Sequence, residues 1–107
     1  SKSQADASTT LQFSAKRQEK LTLQRQQLCA QVEIFTGLDS PESAANIRMQ
    51  LQVERLRRGL LRGAQEDRDT ETQMKDLQVA WYSLGHLEIA DEALRDRFAK
   101  AEQTLGF

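Results

Sequence analysis

Two side chains in this sequence have the chemistry of catalysis, but neither has the neighbours that catalysis requires. His86 is the only histidine, and an imidazole beside a carboxylate is the usual general base. It follows Gly85, a residue type that commonly ends helices, and no pattern of nucleophiles or metal ligands surrounds it. We therefore expect His86 in a surface turn and predict that the chain is not an enzyme.

Cys29 is the only cysteine, which excludes an internal disulfide and favours a reducing, cytoplasmic compartment. A thiol is an effective nucleophile only when the fold brings a base to it. Leu28, Val32 and Phe35 lie around Cys29 at helical spacing, so we expect a small buried hydrophobic residue. Cys29 and His86 lack further soft ligands, the carboxylates lack calcium-loop spacing, and no glycine-rich phosphate loop occurs. We therefore predict no metal and no cofactor.

The arginines of residues 48–62 are the strongest candidates for binding. Successive helical residues are about 100° apart, so Arg48, Arg55 and Arg62 fall on one narrow strip, with Arg58 beside it. A row of guanidinium groups matches a phosphate backbone, which would suit an RNA- or ribosome-associated module. In the other interpretation, their aliphatic stems cover the bundle edge and their guanidinium groups pair with the acidic third and fourth helices.

Aromatic side chains are a second kind of candidate contact. Trp81 and Phe98 can stack on bases, but both lie in the middle of apolar helical stripes and are expected in the core. Tyr82 lies beside its stripe, so we expect it to be partly exposed to a partner. The candidate contacts with a partner or a phosphate are Arg48, Arg55, Arg58, Arg62 and Tyr82.

Amphipathic segments must position these residues. Apolar residues recur at three- and four-residue steps in four segments, at about 11–36, 40–63, 70–84 and 88–105. Gly37, Gly63, Gly85 and Gly106 lie at their ends. The pattern predicts an all-α antiparallel bundle of three to four helices with a long first helix. The predicted shared core is Trp81, Leu77, Leu84, Phe98, Leu94, Leu56 and Met49.

The helix boundaries also follow from local signals. Ser40 is the predicted N-cap of the second helix and Pro41 its first residue. Asp69 or Thr70 is the predicted cap of the third helix. In the fourth helix, pairs four residues apart on the outer side should attract each other, Asp91 with Arg95 among them.

The N-terminal residues are polar and have no periodicity. We predict that residues 1–10 are disordered, as a linker or the remnant of a tag, and that residues 11–107 form one helical domain. The first helix has few apolar residues before Leu21. This part should protrude, or should pack on a second copy through Leu11 and Phe13 in a homodimer.

Charge is unevenly divided along the chain. Residues 1–63 have ten Lys and Arg against six Asp and Glu, a balance of +4, and residues 64–107 have five against ten, a balance of -5. The net charge of -1 does not indicate nucleic-acid binding by the chain as a whole. The asymmetry fits internal pairing of the two halves or a basic surface offered to an acidic partner. No apolar run is long enough to span a membrane, and we predict no membrane partner.

Two stretches, residues 28–56 and 81–101, resemble the C-terminal region of bacterial proteins of the family called domain of unknown function 349. Its repeated helical units have a Trp, a Gly in a turn, and an Arg-Phe pair before a small residue. The matching residues are Trp81, Gly85, Arg97, Phe98 and Ala101. His86-Leu87 replaces the proline-containing turn of many units, which indicates a diverged repeat. The resemblance implies a helical fold and a bacterial, cytoplasmic origin.

These observations favour a non-enzymatic helical protein-interaction module, the terminal unit of a larger helical-repeat protein. Its partner would be another protein or the neighbouring repeats of the parent chain. The alternative is the RNA- or ribosome-associated module that uses the arginine strip of the second helix.

Overall fold

The computed structural model describes residues 2–62 and 69–107, with side chains for residues 9–60 and 69–107. The chain is an all-α bundle, and no strand occurs within these ranges. Its helices are α1 (Lys2–Thr36), α2 (Ala45–Arg62), α3 (Thr70–Tyr82) and α4 (Glu92–Thr104). Short 3-10 turns, Glu42–Ala44 and Ile89–Asp91, precede α2 and α4. None of the described helices has both the length and the apolar character that crossing a membrane demands.

The long first helix starts earlier than predicted. It begins at Lys2, so the prediction of disorder is wrong for residues 2–10, and residue 1 lies outside the described range. Lys, Gln and Ala in this stretch are good helix formers and extend the helix without a break. Leu11 and Phe13 are both exposed, as expected for the protruding half of the helix. Packing of this half on a second copy stays a prediction.

Helix ends follow the glycine and cap signals in the sequence. Gly37 and Gly85 adopt positive φ angles of 76° and 86°, a conformation that favours glycine and ends α1 and α3 as predicted. Asp69 caps α3, because its carboxylate accepts a 2.7 Å hydrogen bond from the Thr72 backbone N–H. This bond stabilises the charged form and lowers the pKa of Asp69 below its usual value. Gly63, the predicted end of α2, lies outside the described residues.

The core lies between α1, α3 and α4. Its buried residues are Cys29, Val32, Met74, Leu77, Trp81, Leu94, Phe98 and Ala101. The rings of Trp81 and Phe98 stack with centroids 4.5 Å apart and planes 7° from parallel. Burial of Cys29, Trp81 and Phe98 was predicted and is confirmed. Leu77 and Leu94 are also buried as predicted, whereas Leu84 is only half-buried.

The predicted core membership of Met49 and Leu56 is wrong. Their side chains are 64% and 70% exposed. The reason is topological: α2 packs mainly on α1, whereas the core is formed by α1 with α3 and α4. The apolar stripe of α2 therefore does not reach the core.

A buried ion pair links the middle of α1 to the start of α4. The guanidinium of Arg25 is 3.3 Å from an oxygen of Asp91, and their side chains are 2% and 7% exposed. Arg25 also donates to the carbonyl oxygen of His86 at 2.8 Å, and Thr22 donates to Asp91 at 2.9 Å. Asp91 therefore pairs across the bundle, and not with Arg95 as the sequence predicted.

Candidate interaction surface

A hydrogen-bond network fixes the turn that leads into α2. The Glu33 carboxylate is buried and accepts two hydrogen bonds from Arg97 of α4, at 2.6 and 3.0 Å. It also accepts one from the Ser40 hydroxyl at 2.7 Å. Arg48 of α2 donates to the Ser40 hydroxyl at 2.8 Å and to the Leu38 carbonyl at 2.6 Å. These bonds hold α1, α2 and α4 in one arrangement at this end of the bundle.

The network explains two differences from the sequence prediction. Ser40 donates to Glu33 and does not cap α2; instead, Pro41 precedes a 3-10 turn, and its carbonyl accepts from the Ala44 N–H at 2.9 Å. Arg48 is half-buried and bound to the turn, so it acts in the fold rather than as a free phosphate contact.

One face of α2 packs on α1. Ala44, just before the helix, is buried, and Ile47 and Leu51 are half-buried. At about 100° per residue these three lie within roughly 60° of each other. The short connection makes α1 and α2 antiparallel, so the C-terminal end of α2 runs back along α1 towards the exposed half of that helix.

The opposite face of α2 carries a continuous exposed apolar line, which we call the α2 stripe: Met49, Val53, Leu56 and Leu60. Their exposed fractions are 64%, 54%, 70% and 88%. The steps of four, three and four residues keep all four side chains within about 60° of arc, on the side of the helix away from α1. A helical seam of this kind normally packs against another helix, and here it is open.

Three arginines of α2 outside the stripe are unpaired among the described residues: Arg57 lies about 70° from the centre of the stripe, Arg55 about 130° and Arg58 about 170°. Arg55, Arg57 and Arg58 are exposed, and none has a hydrogen bond or ion pair within the described part of the chain. The interpretation that Arg55 and Arg58 pair with the acidic third and fourth helices is therefore wrong for these side chains. Arg62, the last predicted member of the strip, has a side chain outside the described set.

The first helix adds further basic side chains at this end of the hairpin. Arg58 is 14 residues beyond Ala44, which corresponds to a rise of about 21 Å along α2. Because α2 runs antiparallel to α1, Arg58 lies at about the height of residue 22 of α1. Lys16, Arg17 and Lys20 lie just beyond that level and are exposed. The described charges at this end, in residues 14–24 and 52–60, are Lys16, Arg17, Lys20, Arg55, Arg57 and Arg58 against Glu19 and Glu54.

Tyr82 lies on a different helix from the α2 stripe, and the structure does not bring the two together. Its ring is 62% exposed and packs edge-on against Phe98, with centroids 6.3 Å apart. The hydroxyl donates to the carboxylate of Glu102 at 3.1 Å. Partial burial and this carboxylate raise the pKa of Tyr82. The exposed part of the ring is available to a partner, as the sequence predicted, but it forms a separate small patch.

The thiol and a cleft beside α4 show no catalytic arrangement in the described residues. Burial raises the pKa of the Cys29 thiol to about 12, and the thiol donates to the Leu94 carbonyl at 3.1 Å, so it is protonated and engaged at neutral pH. A cleft of about 430 Å³ opens beside Leu38 and Leu94. Its deepest charged groups, Glu33 and Arg97, already pair with each other and are not free for a ligand.

Sequence reasoning did not identify the buried charges that position these elements. Arg25, Cys29 and Glu33 are four residues apart in turn, so all three lie on the core face of α1. In the sequence, one charged residue precedes the buried Cys29 by one turn and another follows it by one turn. Buried charges need partners, so this spacing could have revealed Arg25 and Glu33.

No protein-family model matches the chain, and comparisons with curated proteins and with solved structures find no significant match. The resemblance to the family called domain of unknown function 349 therefore stays a prediction.

Proposed function

We propose that the chain is a non-enzymatic helical protein-interaction module and that the α2 stripe is its docking surface. The observation that carries this proposal is the exposure of four large apolar side chains in one helical line, 54% to 88% each. Fully burying one such side chain contributes about 1.5–3 kcal/mol. Four together can offset part of the cost of association, which is about 4–15 kcal/mol or more.

The shape of the surface favours a helical partner. The stripe extends over 12 residues, about 16 Å along a convex helix, and none of its residues lines the cleft beside Leu38 and Leu94. An apolar line of this length matches the facing seam of another helix, on a protein partner or on a neighbouring unit of a helical-repeat protein.

Photo-crosslinking can test this proposal. A benzoylphenylalanine at Leu56 should give discrete protein adducts in cells that express the chain, whereas one at Gln31, exposed on α1, should not. Adding Leu60→Glu should abolish the Leu56 adducts, because a charge in the seam is costly to bury. Equal labelling at the two positions, or labelling that survives Leu60→Glu, would contradict the proposal.

A second candidate function is RNA binding by the basic end of the hairpin. The unpaired state of Arg55 and Arg58 favours it, since the acidic helices do not neutralise them. The double variant Arg55→Gln and Arg58→Gln should weaken binding to bulk RNA uniformly. It should also lower the salt slope by somewhat less than one for each phosphate that an arginine no longer neutralises. No measurable affinity of the unmutated chain at low salt would eliminate this candidate.

A further inference from the structure

We infer that the partner of the α2 stripe is an amphipathic helix with acidic flanks. This inference rests on the proposed function above and specifies the chemistry of the partner at the same surface.

The charges around the stripe give the first reason. Arg57 lies about 70° from the centre of the stripe, close enough to flank a docked helix. It is exposed and has no ion-pair partner within the described residues. Arg55 and Glu54 each lie about 130° from that centre, on opposite sides, and do not flank it. The described charges at this end of α1 and α2 are six basic against two acidic, so a docked helix meets a net positive potential, which acidic flanks complement and basic flanks do not.

The same charges disfavour a second copy of the chain as the occupant. Antiparallel pairing of two α2 helices would match Met49 with Leu60 and Val53 with Leu56, because the spacing of the stripe is symmetric. It would also bring the exposed Arg57 of each copy to the same flank of one interface, and like charges there cost affinity. A partner with Glu or Asp on its flanks removes this conflict.

Gly59 gives an independent reason to expect a close-packed helix. It lies inside α2 about 90° from the centre of the stripe, and a Cβ added there would meet no atom within 4 Å. A glycine inside a helix makes that helix less stable than an alanine at the same position would. The described fold gives no packing reason for it, whereas a docked helix could approach more closely beside Leu56 and Leu60 where no side chain intervenes.

Synthetic peptides can test the charge pattern. Three 18-residue helical peptides would share leucines at steps of four, three and four, with flanking positions of Glu, Gln or Lys. Fluorescence anisotropy would measure their affinity for the full chain at low salt and at about 1 M salt, where screening is nearly complete. Each exposed charge pair changes the affinity by about 1.4- to 5-fold. We expect the order Glu, Gln, Lys from tightest to weakest at low salt, and a much smaller spread at high salt.

Three variants of the chain sharpen the test. Leu56→Glu should abolish binding of every peptide, and Arg57→Gln should reduce the preference for Glu flanks by about 1.4- to 5-fold. Gly59→Ala should raise the melting temperature of the free chain and yet weaken binding. Loss of binding in a more stable variant cannot result from unfolding.

The outcomes separate this inference from the proposed function. If all three peptides bind equally and Leu56→Glu abolishes their binding, the inference of acidic flanks is overturned. The α2 stripe then remains the docking surface. No binding of any peptide, together with crosslinks that do not depend on the stripe, would overturn both. Sedimentation that shows a dimer disrupted by Leu56→Glu would identify a second copy as the occupant, and stripe-dependent binding to anionic lipid vesicles would identify a membrane surface. Either result would overturn the acidic helix.

Discussion

Replacing one member of the buried pair Arg25–Asp91 should destabilise the fold by much more than the loss of a single hydrogen bond, because the other charge stays buried without a partner. Asp91→Asn keeps the shape of the side chain and removes its charge. The guanidinium of Arg25, whose side chain is 2% exposed, would then be buried without a counter-ion. Removing one partner of a buried ion pair costs about 3–5 kcal/mol. The 3.3 Å separation is longer than that of an ideal charged hydrogen bond, so we expect about 3 kcal/mol.

The double variant gives the decisive comparison. Arg25→Met with Asp91→Asn removes both charges, and the carbonyl of His86 lies in an exposed turn where water can replace the missing donor. Replacing a whole buried pair by apolar or neutral groups is often close to neutral. We therefore expect the double variant to be at least as stable as the less stable of the two single variants. The coupling free energy between the two substitutions should be up to about 3 kcal/mol.

Urea unfolding followed by far-UV circular dichroism would measure these free energies. A loss of about 3 kcal/mol also corresponds to a fall of about 12–24 °C in melting temperature for a domain of this size. Small, additive costs of the two single variants would refute the reasoning, because they would mean that water solvates both charges in the folded chain.

Two further predictions concern stability. Phe98→Ala should cost about 3–5 kcal/mol because the ring is buried, whereas Leu56→Ala should change the free energy of unfolding by less than about 0.5 kcal/mol; equal costs in urea unfolding would contradict the placement of the α2 stripe. The raised pKa of Cys29, about 12 against 9.0, means that the folded chain holds this proton more tightly than the unfolded chain. Its contribution to stability is therefore complete below pH 9.0 and is lost as the pH rises towards 12. Cys29→Ala should flatten the measured dependence of unfolding free energy on pH in this range, and an unchanged slope would contradict the burial of the thiol.

The sequence predicted the α3–α4 half of the core well because each signal there agreed with the others. Leu77 and Trp81 recur at helical spacing, Gly85 ends the segment, and Phe98 lies in the middle of the next stripe. Each of these two helices has one apolar face and clear end signals, so only one of its surfaces can be buried in the core.

The orientation of α2 was not predictable in the same way. This helix has two apolar faces, one with Ile47 and Leu51 and one with Met49 and Leu56. Periodicity shows that both exist but does not say which one meets α1. The choice depends on the turn, where Glu33 binds Ser40 and Ser40 accepts from Arg48, and such contacts are invisible in a pattern of apolar residues.

The contacts between the first and last helices have a consequence for how the chain acquires its structure. Arg25 meets Asp91 across 66 residues, and Glu33 meets Arg97 across 64. Closing a loop of that length costs about 1.5 kcal/mol more entropy than closing one of about 12 residues, so folding should be slower than in bundles with local contacts. At about 5–20 residues per second, a ribosome adds Asp91 and Arg97 roughly 3–13 s after their partners Arg25 and Glu33. During that interval Arg25 and Glu33 lack their partners on the C-terminal side, and we expect their charges to keep this face of α1 hydrated and to oppose premature aggregation of the nascent chain.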